Sequence, residues 1–291
     1  MKIRTLFLLT SLSLAAVANA QTVHYFETFS GTTADDVGNA LDLNYADNGT
    51  SAYDSYYISS DNSTSPATPA LVVDTKYGAA ATTGIMSSAV SLGSNVGDTL
   101  KVTVRLRQIT SLAGTFRFGV WNSNGTTYLT NKTDDFGYQA DFAASGASSL
   151  KAWEASTGGP ANATVPSTPW YELPIATQYA PLSATGYQFT DTTIRELSFR
   201  LERLVSDVLV QFYISDAVTG AAKLAFSGTD STPITSFDEV SLFTDSNTYF
   251  YLHSVKVETD VSAIPEPASL AWASGLLTFG LVATRRRRRN G

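Results

Sequence analysis

The sequence is 291 residues long, with 19 basic and 26 acidic side chains, a formal net charge of −7 and no cysteine. Without cysteine there is no disulfide, no thiolate chemistry and no zinc–cysteine site, so the fold must be held by its core. The acidity sharpens when the two ends are set aside: residues 21–264 carry 12 basic and 25 acidic side chains, a net charge of −13, which works against nucleic acid or anionic lipid as partners.

The first twenty residues read as a secretory signal peptide. Lys2 and Arg4 supply positive charge, residues 6–17 are apolar apart from small hydroxylated side chains, and Ala18-Asn19-Ala20 gives a small-x-small cleavage pattern. The mature chain then begins at Gln21, and the Sec translocon and signal peptidase follow as partners. Shortly after comes an oxygen-rich stretch, "DLNYADNG", in which Asp42, Asn44 and Asp47 are candidate ligands for a structural calcium. Its spacing is one residue off the EF-hand series, and solvated turn carboxylates are the plainer account. No other cofactor is expected.

From residue 100 the period-two pattern of a half-buried strand is clear. Leu100, Val102, Val104 and Leu106 alternate with Lys101, Thr103, Arg105 and Arg107. Residues 114–122, "GTFRFGVWN", alternate in the same way and are expected to pair with that strand, with "NSNG" as the turn that closes it. Residues 140–181 are rich in glycine and proline and read as a long decorated loop. The alternation resumes with Leu197, Phe199 and Leu201, then with Val208, Val210, Phe212 and Ile214, a turn at 216–220, and three closing strands. Short strands about ten residues apart with turn signals between them predict an all-β, antiparallel β-sandwich or jelly roll, either as one domain or as two small ones.

Little in this stretch points to catalysis. No G-x-S-x-G, H-E-x-x-H, P-loop or G-x-G-x-x-G string occurs. Glu196 and Glu202 share a strand but lie six residues, or about 20 Å, apart, too far to act as a carboxylate pair. Of the two histidines, His24 lies near the mature N-terminus; His253 is in phase with Tyr251, Val255 and Val257 and reads as a half-buried structural residue. Aromatic side chains are plentiful, and Trp153, Trp170 and Tyr171 are the candidates for stacking on sugar rings. The alternative is that such residues merely cover the sandwich edges.

The order of strands and the closing "FDEVSLFTDSNTYFYLHSVKVETD" resemble concanavalin-A-like and carbohydrate-binding β-sandwich modules, by pattern over about 240 residues and without a diagnostic motif. Such modules often end on a strand that returns beside the first. The resemblance implies association with extracellular polysaccharide. It also raises a glycosidase, but the E-x-D-x-x-E string of jelly-roll enzymes is missing.

The tail is more specific. Residues 268–284 carry no charge and span about 25 Å as a helix, a marginal membrane crossing. Arg285, Arg286, Arg287, Arg288 and Arg289 follow as a positive-inside stop, which predicts a single C-terminal transmembrane helix with the bulk of the chain outside. Pro265, Glu266 and Pro267 precede it, and two prolines keep that tripeptide extended and out of the helix. This order resembles the PEP-CTERM sorting signal of Gram-negative bacteria that make exopolysaccharide. The resemblance implies recognition by an exosortase, an integral-membrane cysteine transpeptidase, and processing near the tripeptide.

The expected organisation is a signal peptide at 1–20, a β-sandwich ectodomain at 21–262 and a sorting signal at 263–291. The expected product is an exported, non-enzymatic surface or matrix protein associated with polysaccharide. A polysaccharide-active hydrolase and a purely structural surface protein are the alternatives.

Overall fold

The alternating stretches fold as strands. In a computed structural model the described residues are 20–29, 41–44, 55–62, 67–74, 80–108, 115–125, 136–143, 149–153, 170–172, 175–178, 194–215, 220–244 and 249–261. Ala18, Asp47 and everything from 262 onward, including Pro265, Glu266, Pro267 and the five arginines, lie outside them, as does the expected transmembrane helix. Among the described residues no helix is long and apolar enough to cross a membrane.

The strands in chain order are β1 (Ala20–Glu27), β2 (Leu41–Asn44), β3 (Ser55–Asp61), β4 (Thr68–Asp74), β5 (Ala80–Ser91), β6 (Thr99–Gln108), β7 (Thr115–Asn122) and β8 (Phe136–Ala143). They continue with β9 (Ser149–Trp153), β10 (Trp170–Glu172), β11 (Ile175–Gln178), β12 (Arg195–Arg203), β13 (Val208–Ser215), β14 (Ala222–Asp230), β15 (Ser236–Thr244) and β16 (Tyr249–Val261). Sheet A runs β11-β14-β13-β12-β6-β16-β4-β3, with β1 also on β16; sheet B runs β10-β9-β8-β7-β15-β5-β2. Every pairing with a recorded register is antiparallel. The chain is an all-β antiparallel sandwich, and its last strand does return beside its first.

One hydrophobic cluster fills the space between the sheets. Sheet A contributes Leu100, Val102 and Val104 of β6, Leu197, Phe199 and Leu201 of β12 and Val208, Val210 and Phe212 of β13, all fully buried. Sheet B contributes Phe116, Phe118 and Val120 of β7. The Phe118 ring lies 5.1 Å from Phe199 and 5.9 Å from Phe212, while Phe116 meets Phe250 edge-on at 6.2 Å. Rings of opposite sheets thus interlock, and with no disulfide this layer supplies most of the cohesion. Tyr25 of β1 adds a polar tie, its hydroxyl donating to the Ser88 carbonyl at 2.8 Å and accepting from the Ser88 N–H at 2.9 Å.

Three sequence expectations are corrected. First, β6 and β7 are not a hairpin: β6 pairs with β12 and β16 in sheet A, and β7 with β8 and β15 in sheet B. Each has one apolar face, and the two faces meet across the core instead of along an edge. Second, 140–181 is not simply a loop, because β9, β10 and β11 lie within it; at three to five residues each they are too short to show a period. Third, the phase of β16 breaks. A bulge between Leu252 and Ser254 places His253 opposite no residue of β6, so Phe250 and Leu252 before it and Val255 and Val257 after it all reach the core. The turn at "NSNG" stands as expected, with Asn124 (φ 52°) and Gly125 (φ 81°) both left-handed.

Candidate functional site

The face of sheet B turned away from the core carries the chain's most unusual residue arrangement. In the ladder Trp170 is opposite Trp153, Trp153 opposite Gly137, and Gly137 opposite Trp121. Trp121 in turn is opposite Glu239, Glu239 opposite Ile85, and Ile85 opposite Asp42. Directly opposed residues share a face, so three of the four tryptophans fall on one rung crossing the sheet.

The centre of that rung is built around one indole. Trp121 is fully buried although it is on the outer face, and its Nε1–H donates to Ser241 Oγ at 2.7 Å. It lies flat over two glycines. A Cβ on Gly119 would come within 2.3 Å of Nε1, and one on Gly137 within 2.1 Å of the Val120 carbonyl oxygen and 2.7 Å of Cε3. Any larger residue at either position would lift the ring off the sheet.

The next rung on this face is polar. Glu172 is opposite Lys151, Lys151 opposite Gln139, Gln139 opposite Gly119, Gly119 opposite Ser241, Ser241 opposite Thr83, and Thr83 opposite Asn44. One rung further, Arg117 is opposite Asp141. Gln139, Glu239 and Ser241 are buried like Trp121, which makes the middle of the face a closed polar floor flanked by β9 and β10 on one side and β2 on the other.

The structure therefore brings together residues that the sequence placed apart. Trp153 and Trp170, read as loop residues, are neighbours on adjacent strands; Tyr171 is opposite Ala152, one position off their rung. Asp42 and Asn44 belong to a strand, two positions apart at the far end of the same two rungs. Among the described residues no group of three or more acidic or histidine side chains could hold a metal ion. Nothing in the sequence marks Glu239 as a site residue. A signal for Trp121 does exist in "FRFGVW", where glycine replaces a bulky residue two positions before the tryptophan, on its own face.

The outer face of sheet A holds a buried ionic cluster. Arg107 Nε and Nη2 donate to the two carboxylate oxygens of Asp61 at 2.6 and 2.5 Å, and His253 Nε2 lies 3.1 Å from Asp61 Oδ2. The Arg107 guanidinium sits 4.8 Å from the centre of the Tyr251 ring. Asp61, Arg107 and His253 are all buried, so His253 is more enclosed than its sequence context suggested. With Nε2–H donating to the carboxylate, His253 Nδ1 is left as a buried acceptor without a partner. Burial pushes the His253 pKa below the ordinary histidine value; Asp61 opposes this, and Arg105 and Arg107 reinforce it. The cluster ties β3, β6 and β16 together.

A depression of about 500 Å³ at the ends of β7 and β8 is lined by Asn122, Phe136, Thr232, Pro233, Ile234, Thr235 and Ser236. Among the described residues that line it, no side chain is an acid or base that titrates near neutral pH.

No protein-family profile matches the sequence, and no curated protein matches it. Among solved structures the chain is similar to the potassium-bound carbohydrate recognition domain of Emp46p, at 10% identity and TM-score 0.46 over 81% of this chain and 95% of that one. It is also similar to the basic winged bean lectin with Tn-antigen, at 8% identity and TM-score 0.45 over 82% and 98%. A third likeness is to a carbohydrate esterase of the Shiga toxin-encoding bacteriophage phi24B, at 12% identity and TM-score 0.44 over 83% and 100%. None of these scores reaches 0.5, so what those proteins bind or cleave does not carry over to this chain.

Proposed function

We propose that the chain is an exported, non-enzymatic β-sandwich that associates with polysaccharide at the cell surface or in the extracellular matrix, delivered there by a PEP-CTERM signal. The observation that carries the binding half is the register that sets Trp170 of β10 opposite Trp153 of β9 at the edge of sheet B. Aromatic faces with a few polar groups close by are the chemistry that holds a sugar ring.

The delivery half rests on the sequence. A signal peptide ending at Ala18 and Ala20 stands at one end; Pro265, Glu266 and Pro267, an uncharged 17-residue stretch and five arginines stand in order at the other. Exosortase, signal peptidase and the Sec translocon are the partners this implies, and a Gram-negative-type envelope is the setting.

Intact-mass analysis of the protein from membrane and secreted fractions of its host tests the delivery half. The wild-type chain is expected to lose everything after about Pro267, and a variant with Pro265, Glu266 and Pro267 replaced by alanine is expected to keep it. A wild-type mass that still contains Arg285, Arg286, Arg287, Arg288 and Arg289 would make the tail a plain membrane anchor.

One observation favours a second reading, a polysaccharide hydrolase. Asp42 and Glu239 are the acidic residues of one rung, with backbone positions two strand spacings, or about 10 Å, apart. Against it, Glu239 is fully buried, whereas a catalytic carboxyl must reach the scissile bond. Release of reducing ends that Glu239→Gln abolishes would favour the hydrolase.

A further inference from the structure

We infer that the depression at the ends of β7 and β8 is a binding site for one uncharged pyranose unit, seated with its apolar face on the Phe136 ring. This rests on the polysaccharide-association reading above, and names a site for it and the class of sugar that the site takes.

The site is formed before any ligand arrives. Most of its lining comes from residues 232–236, where the chain passes from β14 to β15, and a buried network fixes that passage. Asp230, fully buried, accepts through Oδ1 from the Thr232 N–H at 2.9 Å and the Thr232 hydroxyl at 3.1 Å, and through Oδ2 from the Tyr138 hydroxyl at 2.8 Å. The Tyr138 oxygen accepts in turn from the Ile234 N–H at 3.1 Å, and the Thr235 carbonyl from the Leu92 N–H at 2.7 Å. From the end of β7, Asn122 Nδ2 donates to the Ser236 carbonyl at 3.0 Å while its Oδ1 accepts from the Asn124 N–H at 2.8 Å. A depression held open in this way spares its ligand the cost of ordering it.

The class of ligand follows from what the lining offers. Phe136 is packed against the hydrophobic core and also borders the depression, so its ring is a fixed apolar surface, to which Pro233 and Ile234 add. Polar valences lie beside it: after the two bonds named above the Asn122 amide keeps one N–H and one lone pair, and Thr235 and Ser236 bring hydroxyls. A pyranose has the matching halves, an apolar face of axial hydrogens and a rim of hydroxyls that both donate and accept. Its charge class is set as well. Among the described residues no lysine, arginine or histidine lines the depression, so a uronate finds no counter-ion there. The acids at either end of the segment, Asp230 and Asp238, are engaged within the protein, Asp238 by the Ser123 N–H at 2.7 Å and the Ser123 hydroxyl at 2.8 Å. At about 500 Å³ the space is of small-molecule size, and so limited a contact places the affinity for one unit in the millimolar range.

Saturation-transfer NMR of the exported protein, which detects millimolar binding, tests this with the methyl glycosides of glucose, galactose, mannose and N-acetylglucosamine, and with that of galacturonic acid. At least one neutral glycoside should receive saturation and the uronate should not. Phe136→Leu, which keeps an apolar side chain on the core and loses the flat ring, should weaken binding about tenfold. Thr235→Trp, which fills the depression, should abolish it, and Trp153→Ala should leave it unchanged. Circular dichroism shows which variants fold; should either pocket variant fail, the near-isosteric Thr235→Val takes its place and should weaken binding severalfold. Neutral binding that the folded pocket variants retain overturns the inference and leaves polysaccharide association standing. So does a uronate that binds in preference to every neutral sugar. If no glycoside binds, the site is overturned, and native gels cast with dextran or galactomannan decide the rest: retardation keeps polysaccharide association, and its absence in every gel overturns that reading too.

Discussion

Gly137 is the position where a single atom has the largest consequence. Its added Cβ would meet the Val120 carbonyl oxygen, which is backbone and cannot swing aside, as well as the Trp121 ring. Gly137→Ala should therefore lower stability by about 1–3 kcal/mol, the usual cost of overpacking a tight site. Gly119→Ala, which meets the indole alone, should cost less and should also shift tryptophan emission as the ring lifts. A thermal melt of each variant beside the wild type checks the order; equal losses would mean that Trp121 and not the backbone sets the limit. The polar groups around the indole explain why it can be buried on an outer face at all, since its only donor is spent on Ser241.

Between elements, the decisive contact is between sheets. Phe118 of β7 touches Phe199 of β12 and Phe212 of β13, so Phe118→Ala and Phe199→Ala should be coupled by about 1 kcal/mol in a double-mutant cycle read by urea unfolding. Additive losses would contradict the cross-sheet packing. This contact also marks what the sequence could disclose. The alternation in 100–107, 197–203 and 208–215 identified the strands and their core faces, because an apolar face must be buried whichever neighbour the strand has. It did not reveal that β6 and β7 lie in opposite sheets, since alternation fixes a face and leaves the partner open. The site was only half legible for the same reason. Trp153 and Trp170 stood out as residues, but their meeting depends on β9 and β10, strands too short to leave a period, and on a register that brings in Trp121 and Asp42 from elsewhere in the chain. The bulge at His253 was invisible too, because residues on both sides of the break look equally strand-like.

For the molecule as a whole, pH acts through His253. Its pKa is lowered in the fold by burial, with Arg105 and Arg107 adding to that effect and Asp61 opposing it. As pH falls through about 6.5 the unfolded chain takes up the proton first, so the fold should lose stability between that point and the lower folded-state pKa. Urea midpoints measured between about pH 8 and pH 5 should fall with pH for the wild type and much less for His253→Gln. A wild-type midpoint that is flat over this window would mean that Asp61 cancels the effect of burial, and one that rises as pH falls would mean that Asp61 outweighs it. The chain has only one other histidine, His24.

The place of β16 sets a limit on how far the chain can be shortened. This strand lies inside sheet A, bonded to β6 over Phe250–Asp260 on one side and flanked by β4 and β1 on the other. Three residues lie between its last member, Val261, and Pro265, a reach of at most about 14 Å along the chain. An enzyme that severs the chain at the proline pair leaves every rung of the sheet intact. One that strayed a dozen residues upstream would remove the strand to which three others are fastened, and sheet A would divide. Cleavage at Pro265, as proposed, would therefore fall only a few residues beyond a strand that the sheet cannot lose.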